Sequence, residues 1–515
     1  MAAKEKDFPH FAAYFINTMD LHPTLNQPHA AQSLKDAIQK SLFMVTCYRQ
    51  NLGAGATWLF FALALGLLVR TYFLPQPMRG DEAYTFMTYA NRGISALFEY
   101  SAPNNHVLNT LLIKLSVSIF GTSPASIRFP AFLAGLATIA LGFHEARSLG
   151  KNGNSGIFAA VSIAAFPYLI LYSTNARGYA LIVLLSLMLA WAGYQLSQDP
   201  SRPGVILLAL FSALGMLAIP IMALPIAGIS LWIIGLLLLK KFPVKTILYR
   251  FVLPFGILAS ILTIAFYIPV IFVSKGVGPI ISNKFVQPQS WSEFSSQLLP
   301  HVQKSFEELS RDIHPGVLLA VFALTAFGLI HAARQRNWGI ILLLPCLLVG
   351  AWLVLAAQRT IPYARTWIYL IPFILLAADA GLAAILNDLP SRMQISVNVV
   401  LILMTLCFTL NLASRDAITS YPDTSAFPEA PLAVEYLKPI FKPGDTLRIS
   451  PTADWPVYFY FWYHGIYPTL IEKAPSTGRI FFIAKKSRGP LEAEITQRFT
   501  LLLDLGNMAL YQGER

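Results

Sequence analysis

The residues best suited to chemistry in this chain stand in one short run, Met78-Arg79-Gly80-Asp81-Glu82-Ala83-Tyr84. Two adjacent carboxylates beside a long apolar stretch are costly unless solvated, paired or used. Neighbouring side chains on a helix diverge by about 100°, so Asp81 and Glu82 cannot share one face. One can point into a cavity while the other caps or pairs. The plainer alternative is a helix start, with Asp81 as the cap and Glu82 in the first turn.

A second group is cationic. Arg177, Arg359 and Arg365 sit near the ends of apolar runs, where a guanidinium can offer paired N–H donors to phosphate oxygens. Arg359 can equally anchor a helix end among headgroups. Tyr84, Asn105, His106, Tyr179 and Tyr363 stand close to these charges in sequence and are candidate substrate contacts. His106 can be satisfied within its loop, touch an anion, or join Glu82 as a ligand of a divalent metal; metal dependence stays open. Cys47, Cys346 and Cys407 are too far apart to suggest a metal set or a disulfide. Gly150-x-x-Gly153-x-x-Gly156 has the wrong spacing for a dinucleotide fingerprint.

The elements that must position these groups follow from composition. The 515 residues are 55% hydrophobic and 12% charged, against about 25% charged in an average soluble chain. A water-facing surface cannot be built over that length, so the chain is expected to be an all-α polytopic membrane protein. The net charge of +12 is assigned to basic cytoplasmic loops facing anionic lipid and not to a nucleic-acid partner.

Uncharged runs long enough to span predict about eleven helices, at residues 51–69, 129–143, 155–176, 178–197, 204–239 (divided in two at Pro220 and Pro225), 251–273, 315–330, 338–357, 367–386 and 395–412. With the N-terminus inside, Arg147, Lys240, Lys241, Arg334, Arg336 and Arg392 fall inside as well. The large loop 71–127 and the tail from 415 then lie outside. Arg70, Arg79, Arg177, Arg359 and Arg365 oppose this pattern and need another reason to be there. Asp379 lies within a span, where an interhelical hydrogen bond is expected.

Residues 1–50 read as a cytoplasmic leader without a cleavable signal, 51–414 as the transmembrane domain, and 415–515 as a small outer α/β domain. In that tail, strands are predicted at 446–450, 457–463, 479–484 and 500–505, and a helix at 431–441. The aromatic cluster Trp455, Tyr458, Tyr460, Trp462, Tyr463 and His464 is read as an interface belt or strand core.

Several segments occur in a telling order. After the acidic pair come Ser101-Ala102-Pro103-Asn104-Asn105-His106, then Arg128-Phe129-Pro130 at the second span, then Tyr172-Ser173-Thr174-Asn175-Ala176-Arg177-Gly178-Tyr179-Ala180, and finally Tyr363-Ala364-Arg365-Thr366-Trp367 before Leu370-Ile371-Pro372. In these features the chain resembles bacterial members of the dolichyl-phosphate-mannose–protein mannosyltransferases, glycosyltransferase family 39. Their wider class is the GT-C fold, which also holds the aminoarabinose transferases of lipid A. The resemblance covers roughly residues 55–390. It departs from the common pattern at Asn104-Asn105-His106, where many relatives carry a proline-rich turn.

The resemblance implies transfer of a sugar from a polyprenyl-phosphate donor to a lipid, glycan or protein acceptor, with inversion. Asp81 would be the base, with Arg177 and Arg365 on the phosphate. In a bacterial cell the carrier would be undecaprenyl phosphate and the location the inner membrane. The chemistry is consistent on its own terms, since such a transfer needs a base for the acceptor and cations for the departing phosphate. The rival expectation is a transporter or lipid-linked glycan flippase. Such proteins often show repeated halves, and none is evident here.

Overall fold

Apolar runs surrounded by lipid must satisfy every backbone group internally, and in this chain they do so as helices. The computed structural model describes residues 55–150, 154–198, 202–281, 286–450, 453–466, 469–470, 478–486 and 499–513. The proposed leader lies outside them. Among the described residues nine helices are long and apolar enough to cross a membrane. The two remaining expected spans are also helical. One is broken into Ile157–Ala165 and Pro167–Ser173, and the other, Arg202–Ala218, is 17 residues long.

We label as α1 Gly55–Phe73, α2 Gly80–Thr85, α3 Val107–Phe120, α4 Pro124–Gly150, α5 Ile157–Ala165, α6 Pro167–Ser173, α7 Tyr179–Gln198, α8 Arg202–Ala218 and α9 Ala223–Leu239. Then follow α10 Leu253–Val273, α11 Trp291–Leu309, α12 Pro315–Arg334, α13 Trp338–Gln358, α14 Leu370–Asn387 and α15 Ser391–Ser414.

What each helix shows to its surroundings separates lipid from core. On α10, Ile257, Ile261, Ile264 and Ile268 recur at helical spacing and are all exposed, a stripe suited to acyl chains. α7 and α14 are instead largely buried. Two glycine pairs let helices approach closely. A Cβ on Gly350 would stand 2.3 Å from Gly228 N, and one on Gly381 2.1 Å from Leu324 O.

Breaks in the helices explain two of the arginines that oppose the charge pattern. Pro167 has no N–H for the carbonyl of Ile163. Arg70, fully buried, donates instead to Ile163 O (3.3 Å) and Ala164 O (2.7 Å). Arg79 gathers the backbone beyond α15, donating to Tyr421 O (2.7 Å), Asp423 O (2.8 Å), Thr419 O (3.2 Å) and Ile418 O. Asp379 makes the expected interhelical bonds, accepting the N–H groups of Gly156 (2.7 Å) and Ala159 (3.1 Å) at the start of α5. It caps, from another helix, an N-terminus whose own cap position is a glycine.

The tail carries α16 Ala430–Leu437, α17 Asp454–Tyr463 and a five-stranded sheet. Its strands are β1 Thr446–Ile449, β2 Thr469–Leu470, β3 Ile480–Lys485, β4 Thr500–Asp504 and β5 Met508–Gly513, in the order β2-β1-β3-β5-β4. β1 pairs parallel with β2 and β3, while β5 is antiparallel to β3 and β4. The strand expected at 457–463 is corrected. That stretch is α17, because parallel β1 and β2 need a crossover and a helix supplies it. An aromatic run has no periodicity that distinguishes the two.

α17 packs on α2. Tyr460 Oη accepts from Met78 N–H (3.0 Å), and Trp455 meets Tyr84 edge-on at 4.8 Å. Met78, Phe86, Phe427, Val457, Phe481 and Leu510 belong to one core, so the tail shares its interior with the loop that carries the acidic pair.

Candidate active site

Asp81 and Glu82 part on the first turn of α2. Glu82 turns inward, where its Oε1 accepts from Arg79 N–H (2.8 Å) and its Oε2 from Ala176 N–H (2.8 Å). Arg128 meets both oxygens, with Nε 3.0 Å from Oε2 and Nη2 on Oε1. Neither side chain is exposed. The same guanidinium binds the carbonyls of Leu74, Gln76 and Pro77. Pro75 and Pro77 end α1 and leave those carbonyls without helical partners, which is why a buried cation is needed there.

Asp81 turns the other way and keeps 20% of its side-chain exposure. Its Oδ2 is 3.7 Å from Arg177 Nη2, and its Oδ1 accepts from Asn104 Nδ2 at 3.4 Å. The N-terminus of α2 is held from outside. Gly80 N–H donates to Ser425 O (3.1 Å) and Asp81 N–H to Thr424 O (3.3 Å). Thr424 and Ser425 both sit at φ 59°, a left-handed conformation that is costly for a β-branched residue. A Cβ on Gly80 would stand 2.7 Å from Ser425 Cβ, so the crossing segment requires glycine there. α2 then runs into a π-helical turn, Phe86–Ala90, of a kind that gathers at functional sites.

Arg177 is buried between these groups. Its Nη1 donates to Asn104 O (3.1 Å) and Thr85 Oγ1 (3.3 Å), while its buried Nε has no partner. His106 Nδ1 accepts from Gly178 N–H at 2.9 Å. In the neutral ring the proton is therefore on Nε2, and the 3.4 Å approach of Arg177 Nη2 is a contact between donors. Burial first, then the charges of Arg177 and Arg365, push the His106 imidazole well below its ordinary range.

Arg365 lies on the far side of His106 and Tyr179, whose rings are 5.5 Å apart. Its Nε donates to Tyr179 Oη (2.9 Å), its Nη1 to Asp423 Oδ1 (2.9 Å), and its Cζ lies over the Tyr363 ring, 4.4 Å from the centroid. Asp423 also accepts from Tyr168 (3.2 Å), Tyr172 and Thr424 N–H (2.8 Å). Burial alone would raise its carboxyl; Arg365, with the Tyr172 and Thr424 hydrogen bonds, outweighs that and holds it below the usual carboxylate range.

Asp81, Arg177, His106, Tyr179, Arg365 and Asp423 thus form one continuous cluster. Arg128 near the start of α4, Tyr179 at the start of α7 and Arg365 ahead of α14 put it at one end of the bundle. A cavity of about 310 Å³ lined by Gly150, Ser155, Gln335, Asn337 and Asn387 lies at the other end. The 22 residues from Arg128 to Gly150 rise about 33 Å along α4.

Four of the expected residues have their contacts outside the cluster. Glu82 is held by two backbone N–H groups and a bidentate arginine. Asn105 is equally committed, donating to Leu97 O (3.0 Å) and Glu99 O (2.7 Å) and accepting from Thr110 (2.8 Å). Arg359 is exposed at the C-terminus of α13 with φ 52° and makes no bond to the cluster. Tyr84 contacts Tyr89 (3.4 Å) and Trp455 instead of the arginines. Among the described residues no three His, Cys, Asp or Glu side chains gather as a metal set.

Residues not singled out from the sequence matter as much. Asp423 lies 58 residues from Arg365, in a Pro-Asp turn that reads only as punctuation. Arg128 had a place in the motif order but no partner.

Comparison with known proteins agrees with this architecture. The family description Dolichyl-phosphate-mannose-protein mannosyltransferase matches residues 106–271, which include His106, Arg128 and Arg177 but not Asp81 or Arg365. ArnT from Cupriavidus metallidurans in the apo state superposes with a TM-score of 0.54 at 14% identity, covering 89% of this chain and 98% of that one. The same protein bound to undecaprenyl phosphate gives 0.53 at 13% identity, with the same coverage. No curated protein matches the sequence. Among the described residues the chain has nine helices long and apolar enough to cross a membrane, and it shares the fold of ArnT.

Proposed function

We propose that this protein transfers a sugar from a polyprenyl-phosphate donor to a hydroxyl of a lipid, glycan or protein acceptor. The observation that carries the reading is the meeting of Asp81, Arg177 and Arg365 in one partly open cluster at one end of the bundle. The fold shared with ArnT, which is known bound to undecaprenyl phosphate, supports the choice of carrier. In a bacterium the site would face away from the cytoplasm of the inner membrane, with a leader at 1–50, the transmembrane domain at 51–414 and an outer domain at 415–515.

In this mechanism Asp81 takes the proton of the acceptor hydroxyl as its oxygen attacks the anomeric carbon. The bond from that carbon to the phosphate oxygen breaks, and its electron pair leaves with the polyprenyl phosphate. One in-line displacement inverts the anomeric configuration. The Nη2 of Arg365, which makes no hydrogen bond among the described residues, is the donor available to the phosphate, and Arg177, whose unpartnered Nε is buried, adds its charge from beneath. Tyr179 and Tyr363 orient Arg365, and neutral His106 props Arg177 without adding charge.

The test is transfer from an undecaprenyl-phosphate sugar by the purified full-length protein, read as release of free undecaprenyl phosphate. Asp81→Asn should lower turnover by about 10²–10⁴-fold while leaving the thermal midpoint in place. Wild-type turnover in that variant would remove Asp81 as the base. A lipid-linked sugar that crosses a vesicle without cleavage would favour the flippase reading.

A further inference from the structure

The cluster holds two cations, Arg177 and Arg365, and two anions, Asp81 and Asp423, and His106 beside them is neutral. Asp81 is already assigned to the acceptor. Asp423 has no role in the transfer as described, yet it is the better bound of the two anions, with Arg365 Nη1, two tyrosine hydroxyls and one backbone N–H directed at it. The segment carrying it is fixed at every step. Arg79 binds the carbonyls of Tyr421 and Asp423. Asn175 Nδ2 donates to Thr424 Oγ1 (3.1 Å), and Thr424 and Ser425 are held in the left-handed region. A chain strained and clamped in this way positions its side chain in advance.

Resting on the phosphate-site reading above, the geometry points to Asp423 as a built-in counter-charge that acts through Arg365 to weaken the grip on polyprenyl phosphate, so that the leaving group can depart after each transfer. Two guanidiniums in a largely buried site with no compensating anion would hold a phosphate in the ground state as strongly as in the transition state. Such binding slows turnover instead of speeding it. Asp423 occupies Nη1 and leaves Nη2, so Arg365 meets the phosphate with part of its donor set and a reduced net charge. Asp423 is thus a positioning residue and need not touch the sugar or the acceptor.

The experiment measures binding of undecaprenyl phosphate to the full-length protein in detergent, together with kcat and KM for transfer. Asp423→Asn keeps the shape and removes the charge. It should bind undecaprenyl phosphate about tenfold more tightly, the scale of one unit charge acting at short range through a partly buried site, and both kcat and KM should fall. A merely structural lesion would loosen the site, so unchanged or weaker binding overturns the inference. Asp423→Glu, which restores the charge, should return affinity to within about twofold of wild type. If Asp423→Asn does not fold, Asp423→Ser makes the same change of charge in a smaller volume and carries the same expectation. Arg365→Ala separates the two levels of argument. If it leaves undecaprenyl phosphate binding intact, the phosphate-site reading itself fails. If it abolishes binding while Asp423→Asn does not tighten it, the counter-charge alone is refuted.

Discussion

Two acidic residues one peptide apart define two regions of opposite character. Around Glu82 every charge is matched: four donors reach its two oxygens, and Arg128 saturates the end of α1 as well. Around Asp81 the matching is loose, with a guanidinium at 3.7 Å, one long amide contact and a buried arginine Nε without a partner. The arginines differ in their partners. Arg70, Arg79 and Arg128 direct most of their N–H groups at carbonyls freed by helix breaks or turns, whereas Arg177 and Arg365 also reach the side chains of Thr85, Tyr179 and Asp423. A buried Nε without a partner is common to Arg79 and Arg177, so it is the side-chain partners that mark the second group.

The largest effect should come from forcing the two regions to exchange duties. Asp81→Asn is expected to remove transfer and spare the fold. Glu82→Gln should do the reverse, because it leaves Arg128 buried without its anion, a change of about 3–5 kcal/mol when one partner of a buried pair is lost. The readout is the yield of folded protein and its thermal midpoint in detergent, set beside the turnover of whatever folds. Should Glu82→Gln fold normally and lose only turnover, Glu82 belongs to the chemistry and the division is wrong.

A smaller effect is expected where the regions share a support. Gly80 lies under the crossing segment, and a methyl group there would stand 2.7 Å from Ser425 Cβ. Gly80→Ala should therefore displace the two carbonyls that hold the start of α2. The cost is about 1–3 kcal/mol, typical of overpacking, and turnover should fall further than the loss of folded protein explains because Asp81 moves with the helix. A thermal midpoint and turnover equal to wild type would mean that the segment does not position Asp81.

The limits of the sequence follow the same line. Ten apolar runs, one of them divided at its prolines, announced helical segments because lipid leaves the backbone no other solution. Single strands of the tail were readable in part for a different reason, since β-rich runs bounded by turn residues mark β1, β3 and β4 locally. α17 escaped because its form is imposed by the parallel strands around it and not by its own run of aromatic residues. At the site, the motif order brought out Asp81, Arg177, His106 and Arg365. What no local pattern could assign was partnership. Whether Glu82 or Asp81 faces Arg128, or whether Asp423 reaches Arg365 across 58 residues, is decided by packing between distant helices.

The smallest expected effect is that of pH, and in the loose region it falls on His106. His106 has its folded value pushed down by burial and by two guanidiniums, whereas an unfolded histidine titrates near about 6.5. Below that value the unfolded chain binds a proton that the folded chain refuses, so stability rises with pH in that window and falls as the solution is acidified. The slope is at most about 1.4 kcal/mol per pH unit for one group. Asp423 acts in a separate window. Its folded value is depressed, so its contribution is complete above about 3.9, the unfolded carboxyl value, and disappears only as pH falls through the folded one. Thermal midpoints of wild type and His106→Asn between neutrality and pH 5 test the first window alone. The wild type should lose stability across it and the variant much less. Equal slopes would show that some other group refuses the proton, and that the neutral imidazole between the two arginines is not what acid attacks first.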